Sequence, residues 1–357
     1  MSKIRVISFV PGLGSGGIAA LMREWYKRKD KEIVFDIATI GKGMAYDELV
    51  SQGCTVYSFE PISSVGIVRY VRNAYRIIVE GEYDIVHSHV GMVSCFIFIA
   101  ALLAKRRIRI LHAHGIKYNR DDGRIISTIL STALKSLSVL LATHYLACSN
   151  SAAIYLFGKR IAREKAIIIN NGIDLQRFKY KEKKPGKPQV IGYISRFEVS
   201  KNHIFLLKVL SLLLEHGKMV ELLLVGDGDT KRIKDTAEKM HVDPFVRILP
   251  AQKSVEECYY AMDLFAFPSL YEGLGIVAIE AQACGVPTIV SPGVPDEVLI
   301  STLARKIELD VDRWVIEIEH MLEHPESKDV HEEIVRSGFD IDECTNKLMS
   351  VYLGAIR

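Results

Sequence analysis

Apolar residues fall along this chain in two alternating rhythms. Short runs rich in β-branched and aromatic residues end in Gly, Pro or Ser, and longer stretches between them carry apolar positions at helical spacing. That is the pattern of parallel strands joined by helices. Strands are predicted at 4–10, 34–40, 55–59, 85–87, 109–112 and 145–147 in the first half, and at 190–194, 221–225, 246–249, 264–267 and 288–291 in the second. Between the two sets, residues 179–189 read KYKEKKPGKPQ, a polar, proline-bearing stretch expected to link two domains. The predicted fold class is α/β: two Rossmann-like, doubly wound parallel-sheet domains facing an interdomain cleft. The expected domains are 1–180 and 187–340, with a last helix at 341–357 crossing back to the first. Such sheets bind ligands at the carboxyl ends of their strands.

Length supports two domains, since 357 residues exceed what one hydrophobic core usually serves. With 49% apolar and 25% charged residues the chain has the profile of a soluble globular protein rather than a disordered one. Six cysteines, Cys54, Cys95, Cys148, Cys258, Cys284 and Cys344, have no CxxC spacing and sit mostly among apolar neighbours. They read as reduced, buried thiols, with neither a disulfide framework nor a zinc site indicated. The opening residues lack the apolar stretch and cleavage site of a secretory leader, and the most lipid-like segment, 90–104, is too short to span a bilayer. A cytoplasmic protein is expected.

Net charge conceals an asymmetry. Residues 1–184 carry 28 Lys and Arg against 15 Asp and Glu, whereas residues 185–357 carry 18 against 28, so the total of +3 is the balance of +13 and −10. A basic first half suits an anionic partner, and Arg69, Arg72 and Arg76 on one predicted helix, with the cluster from Lys105 to Arg109, could meet acidic lipid headgroups. A solvated basic face accounts for the same charges equally well.

After the first predicted strand, Gly12, Gly14 and Gly17 satisfy G-x-G-x-x-G, the turn that receives a dinucleotide pyrophosphate. A nicotinamide enzyme also needs an acidic residue at the end of the second strand, and Asp36 lies too early for that. What the loop does imply is physical: glycines permit close backbone approach, and a helix opening near Ile18 offers free N–H groups to an anion.

The densest chemistry lies at 267–291. A strand ends at Pro268, a loop carries Glu272 between Tyr271 and Gly273, a helix is expected to start near Leu274, and Gly285-Val286-Pro287 stops it. The helix start would aim N–H groups at a ligand, with Gly273 and Gly275 letting a phosphate rest against the backbone. Glu280 falls among Ala and Ile, where a carboxylate is costly unless hydrogen-bonded, as by the two hydroxyls of a ribose. A glutamate turned sideways to water is the plain alternative.

The pair Glu272 and Glu280, an E-x7-E spacing inside PSLYEGLGIVAIEAQACGVP, closely resembles the retaining glycosyltransferase family numbered four, of the two-domain GT-B fold. Further motifs match in order: Gly16-Gly17, YDIVHSHVG at 83–91, LHAHG at 111–115, ACSNSAAIYLFG at 147–158, IINNGIDLQRF at 168–178, GYISRFEVSKNHIFLL at 192–207 and LLLVGDGD at 222–229. The resemblance covers nearly the whole chain.

It implies a nucleotide-sugar donor, a UDP-sugar by expectation, and no cofactor or metal. Arg196 and Lys201 match the basic pair that grips the donor diphosphate, where a guanidinium fork and an ammonium offset charge on the leaving group. Glu280 matches the ribose-binding carboxylate. Glu272, helped by the amides of Gly273, Leu274, Gly275 and Ile276, matches the group that holds the donor sugar, and Gly16 and Gly17 complete the donor set. His114 matches the first-domain histidine beside the transferred sugar. The strand-end histidines His87, His89 and His112 could suggest a metal, yet no carboxylate or ligand spacing supports one. At Ile276-Val277 the sequence departs from relatives with proline there, which puts the shape of the sugar pocket in doubt.

The resemblance further implies retention of anomeric configuration without an enzyme nucleophile. GGIAALMREWYKR, VPDEV and Asp312-Arg313-Trp314 resemble the branch that builds bacterial exopolysaccharide and capsule. That branch implies a glycan or lipid-linked oligosaccharide acceptor, peripheral contact with an anionic membrane through the basic first domain, and no nucleic acid. A nucleotide-sugar epimerase on the same fold and a non-catalytic partner subunit are the competing readings. Neither the sugar nor the choice of uracil or guanine is legible in the residues.

Overall fold

The computed structural model describes residues 3–14, 16–115, 125–182 and 188–356, and the chain divides into two compact units, residues 1–172 with 341–357 and residues 173–340. In the first unit, seven strands alternate with helices: β1 (Ile4–Val10), α1 (Gly17–Arg28), β2 (Ile33–Thr39), α2 (Met44–Ser51), β3 (Val56–Ser58), α3 (Ile62–Glu80) and β4 (Ile85–Ser88). They continue through α4 (Ser94–Leu103), β5 (Ile108–Ala113), α5 (Ile125–Leu141), β6 (His144–Ala147), α6 (Asn150–Phe157), α7 (Lys159–Glu164) and β7 (Ala166–Ile168).

The second unit runs β8 (Gln189–Ile194), α8 (His203–Glu215), β9 (Val220–Val225), α9 (Lys231–Lys239), β10 (Val246–Leu249), α10 (Val255–Tyr260) and β11 (Leu264–Phe267). It closes with α11 (Ile276–Ala283), β12 (Thr288–Val290), β13 (Ala304–Lys306), α12 (Val311–Glu323) and α13 (His331–Arg336). The last helix, α14 (Ile341–Ile356), belongs to the first unit.

Both sheets are wholly parallel, in the orders β3-β2-β1-β4-β5-β6-β7 and β10-β9-β8-β11-β12-β13. Strand alternation explains how each is covered. Along β1, Val6 and Val10 join Met22 and Trp25 of α1 and Leu348 and Tyr352 of α14, while Ile7 and Phe9 join Tyr70 and Ile78 of α3 and Ile97 of α4. In the second unit one core gathers α8, α11 and α12 onto the sheet, with Trp314 fully buried edge-on to Phe205.

Two differences from the sequence reading have simple causes. The edge strands β7 and β13 were not predicted: neither has a fully buried position, and Ala304-Arg305-Lys306 offers no apolar run to read. The boundary falls at Gly172/Ile173 and not within 180–187, since Ile173, Leu175 and Phe178 are buried in the second core and Ile173 N–H bonds Phe339 O at 2.8 Å. Of the polar stretch 179–189, residues 183–187 lie outside the described residues.

Each sheet reverses its winding once. In the first, strands progress outward from β1 to β3 and then from β4 to β7. In the second they progress from β8 to β10 and then from β11 to β13. The gaps beyond the carboxyl ends of β1 and β4, and of β8 and β11, are therefore the two switch points where sheets of this kind receive ligands.

Candidate active site

In the second unit the loops after β8 and β11 meet at the switch point. Lys201, in a single 3₁₀ turn after β8, reaches Glu272, in the loop after β11, with Nζ 2.5 Å from Oε1. The two side chains are only 15% and 12% exposed. Ser269 Oγ donates to the same carboxylate oxygen at 2.7 Å, and Tyr193 OH lies 2.8 Å from that hydroxyl, so Glu272 is held by a cation and a buried hydroxyl relay. The backbone fixes both loops: Leu270 N–H bonds Ser200 O at 2.8 Å and Glu272 N–H bonds Gly293 O at 2.9 Å. At Gly293 a β-carbon would stand 2.3 Å from Leu270 O, which requires glycine.

The start of α11 is built by Gly275 in the left-handed region, φ 89° and ψ 48°. A β-carbon there would also stand 2.7 Å from the Phe267 ring, so conformation and space both demand glycine. Ahead of Ala278, whose N–H bonds Gly275 O at 3.0 Å, the first amides of α11 have no intrahelical acceptor, and with the positive helix end they suit an anion. Glu280, one turn further, is half-buried and accepts a 2.7 Å hydrogen bond from Tyr259 OH. Burial and the adjoining Glu280 carboxylate raise the Tyr259 pKa well above its ordinary value, which keeps that phenol a donor. Arg196, 55% exposed, stands just beyond β8 and pairs with Glu198 at 2.6 Å. Behind it, Ser195 Oγ lies 2.9 Å from His203 Nε2, and burial followed by the nearby Lys201 charge lowers that ring to about 4.

In the first unit β4 and β5 each end in a His-x-His, and alternation puts all four rings on the face covered by α1 and α14. His87 Nδ1 lies 2.6 Å from Tyr352 OH of α14, and its Nε2 lies 3.2 Å from His112 Nδ1. His89 Nδ1 lies 2.8 Å from His114 Nε2. Trp25 packs against the rings of His87, His89 and His112. Burial drives all four pKa values down, that of His114 to about 3, and the mutual repulsion of charged rings adds to the drop at the other three. All four are therefore neutral.

One ring nitrogen from each of His87, His89 and His112 lies within 4.8 Å of the others, so the strand-end histidines do cluster. Both nitrogens of His87, Nδ1 of His112 and Nδ1 of His89 engage Tyr352 or a neighbouring ring, whereas Nε2 of His89 and Nε2 of His112 are buried without a hydrogen-bond partner, and among the described residues no carboxylate joins the group.

Gly16 precedes α1 and Gly17 opens it, and a β-carbon at either would meet nothing within 4 Å, so their turn is open to an approaching group. Asp36 is engaged inside the fold. It sits mid-strand opposite Ile7, buried, accepting from Tyr83 OH at 2.9 Å and Thr55 N–H at 3.1 Å. Asp84 likewise accepts from Arg5 N–H at 2.9 Å. Sequence reasoning named Lys201, Glu272, Glu280, Arg196 and His114, but missed Ser269, Tyr193 and Tyr259, which orient the two glutamates. Nothing local marks those three.

Two family models divide the chain between them: Glycosyltransferase Family 4 matches residues 18–177 and Glycosyl transferases group 1 matches residues 174–329. The chain belongs to the glycosyltransferases of family four. Among relatives of this glycosyltransferase, EpsF of Bacillus subtilis, itself a glycosyltransferase by inferred assignment, is 29% identical over 98% of this chain and 97% of its own. The capsular polysaccharide biosynthesis glycosyltransferase CapH of Staphylococcus aureus is 24% identical over 98% and 99%. An Escherichia coli UDP-Gal:α-D-GlcNAc-diphosphoundecaprenol α-1,3-galactosyltransferase is 24% identical over 83% and 81%. In fold, the chain matches the crystal structure of HepE from Anabaena in complex with UDP and glucose, with a TM-score of 0.73 at 17% identity over 98% of this chain and 95% of that one. Its two units are the Rossmann-like domains of the GT-B fold.

Proposed function

We propose that this glycosyltransferase moves a sugar from a UDP-sugar to a glycan or lipid-linked oligosaccharide with retention of configuration, in exopolysaccharide or capsule assembly. The observation that carries this reading is the Lys201–Glu272 pair beside the start of α11 at the second switch point. A cation, free helix amides and a carboxylate there meet the three needs of a nucleotide sugar: diphosphate charge, developing charge on the leaving oxygen, and sugar hydroxyls. The donor named for the Escherichia coli relative and the UDP and glucose in HepE agree with this choice.

Lys201 and Arg196 take the diphosphate, Glu272 the sugar hydroxyls and Glu280 the ribose. As the bond from the anomeric carbon to phosphate breaks, the acceptor oxygen bonds that carbon on the same face, and its proton passes to the departing phosphate oxygen. Catalysis then rests on positioning and fixed charge, with no metal step. His114, neutral in this fold, acts beside the sugar as a hydrogen-bonding group.

The acceptor reading brings a cytoplasmic membrane face with it. No described helix is long and apolar enough to cross a membrane, so contact would be peripheral. On α3, Val68 is 83% exposed beside Arg69, Arg72 and Arg76, and Leu103 at the end of α4 is 62% exposed just before Lys105, Arg106 and Arg107. Apolar side chains flanked by cations suit an anionic lipid surface.

A thermal-shift panel of UDP, GDP, ADP, their sugar conjugates and NAD(H), with and without magnesium, tests the donor site. A magnesium-independent shift with one UDP-sugar, and product only when acceptor is added, is the expected outcome. A shift with NAD(H) alone, or donor turnover independent of acceptor, would replace this reading.

A further inference from the structure

The two oxygens of Glu272 are not equivalent. Oε1 accepts from both Lys201 Nζ and Ser269 Oγ, while Oε2 has no hydrogen-bond partner among the described residues. The side chain keeps 12% of its surface exposed, and Oε2 is not among the buried polar atoms left without a partner. The direction of the bonds follows from counting hydrogens. A carboxylate only accepts, and Ser269 gives its single hydroxyl hydrogen to Glu272. Toward Tyr193 OH, 2.8 Å away, Ser269 can then only accept, so Tyr193 is the donor and the relay runs from Tyr193 through Ser269 to Glu272.

The relay is rigid and lies wholly in the second unit. Tyr193 and Ser269 are both fully buried. The Tyr193 ring stands edge-on to Phe265 at 6.0 Å and packs against Phe267 at 5.6 Å. Ser269 O accepts from Ser291 Oγ, and next to it Pro268 O accepts from Asn202 Nδ2 at 3.2 Å. Lys201 is a different kind of partner, because its ammonium ends a flexible stem and is drawn to any diphosphate. When it turns to one, Ser269 is the partner that stays on Oε1.

Resting on the roles given to Lys201 and Glu272 above, we propose that Ser269 is a positioning residue that sets donor-sugar specificity: supplied by Tyr193, it holds Oε1 after Lys201 moves to the diphosphate, so that Oε2 meets the sugar at a fixed place and selects one hydroxyl. A carboxylate free to swing would bond whichever hydroxyl lay nearest and discriminate little between sugars. A fixed acceptor instead penalises a sugar that lacks the matching hydroxyl.

The test is titration calorimetry on the full chain, which needs no acceptor, with the UDP-hexose identified by thermal shift and analogues that each lack one ring hydroxyl. The wild type is expected to lose roughly 10- to 100-fold in affinity when one particular hydroxyl is missing, the worth of a hydrogen bond to a charged group. In Ser269→Ala that loss shrinks to a few-fold, and in Tyr193→Phe it shrinks partway, while free UDP still binds. A merely structural role would weaken binding of the hexose and its analogues alike. An undiminished loss in Ser269→Ala, beside one abolished in Glu272→Gln, therefore overturns the proposal. If Ser269→Ala does not fold, Tyr193→Phe decides, since it removes a single phenolic oxygen, and an undiminished loss there is the overturning result. No such loss in the wild type, or an undiminished one in Glu272→Gln, would instead refute the sugar role of Glu272 itself and take the role of Ser269 with it.

Discussion

Lys201 Nζ touches Glu272 Oε1 across 71 residues of sequence, joining the loop after β8 to the loop after β11. In the free protein each satisfies the other, and a bound diphosphate sugar offers both a better partner. Lys201→Ala should lower transfer roughly 100- to 1,000-fold, the cost of removing one preorganised donor to a developing anion. Glu272→Gln should raise donor KM, since the amide loses charge on the sugar hydroxyls. Steady-state kinetics with the UDP-sugar identified by thermal shift measures both, and wild-type rates in the two variants would remove the pair from the site.

Glu280 is held by Tyr259 OH at 2.7 Å within a helix otherwise apolar on that turn. Glu280→Ala should weaken UDP binding by about 10- to 100-fold, the worth of a charge-assisted hydrogen bond to ribose. Titration calorimetry with free UDP reads this directly, and unchanged affinity would assign Glu280 to Tyr259 alone.

Gly275 carries φ 89°, and a methyl there would run into Phe267 at 2.7 Å. Gly275→Ala should destabilise the second unit by about 1–3 kcal/mol and displace the amides at the start of α11. Urea unfolding followed by UDP titration checks both effects. An unshifted midpoint would mean that the loop absorbs the side chain.

Burial holds His87, His89, His112 and His114 neutral in the fold, His114 down at about 3. Unfolded, each titrates near about 6.5, so between the two values the unfolded chain binds more protons and stability falls as pH falls. Above about 6.5 these rings add no pH dependence; below it each contributes a slope of up to about 1.4 kcal/mol per pH unit. Urea midpoints measured from about pH 7.5 down to about pH 5.5 should show that loss begin near the unfolded value. A midpoint constant across the range would mean that the rings take up protons within the fold.

Local sequence was enough for the alternation of strands and helices and for the glycine-built start of α11, each of which depends on a period or a steric demand that neighbours within a few residues impose. The residues of the candidate site came from the resemblance to family four. Tertiary structure alone decided the rest. The edge strands β7 and β13 have no fully buried position to mark them, and the boundary at residue 172 was set by which core received Ile173 and Phe178. His87 meets Tyr352 across 265 residues, and Lys201 meets Glu272 across 71, because parallel register and the return of α14 bring them together. Residue type supplies the chemistry of an imidazole or a carboxylate. Which nitrogen is free, and which charge is answered, follows from partners that only folding delivers.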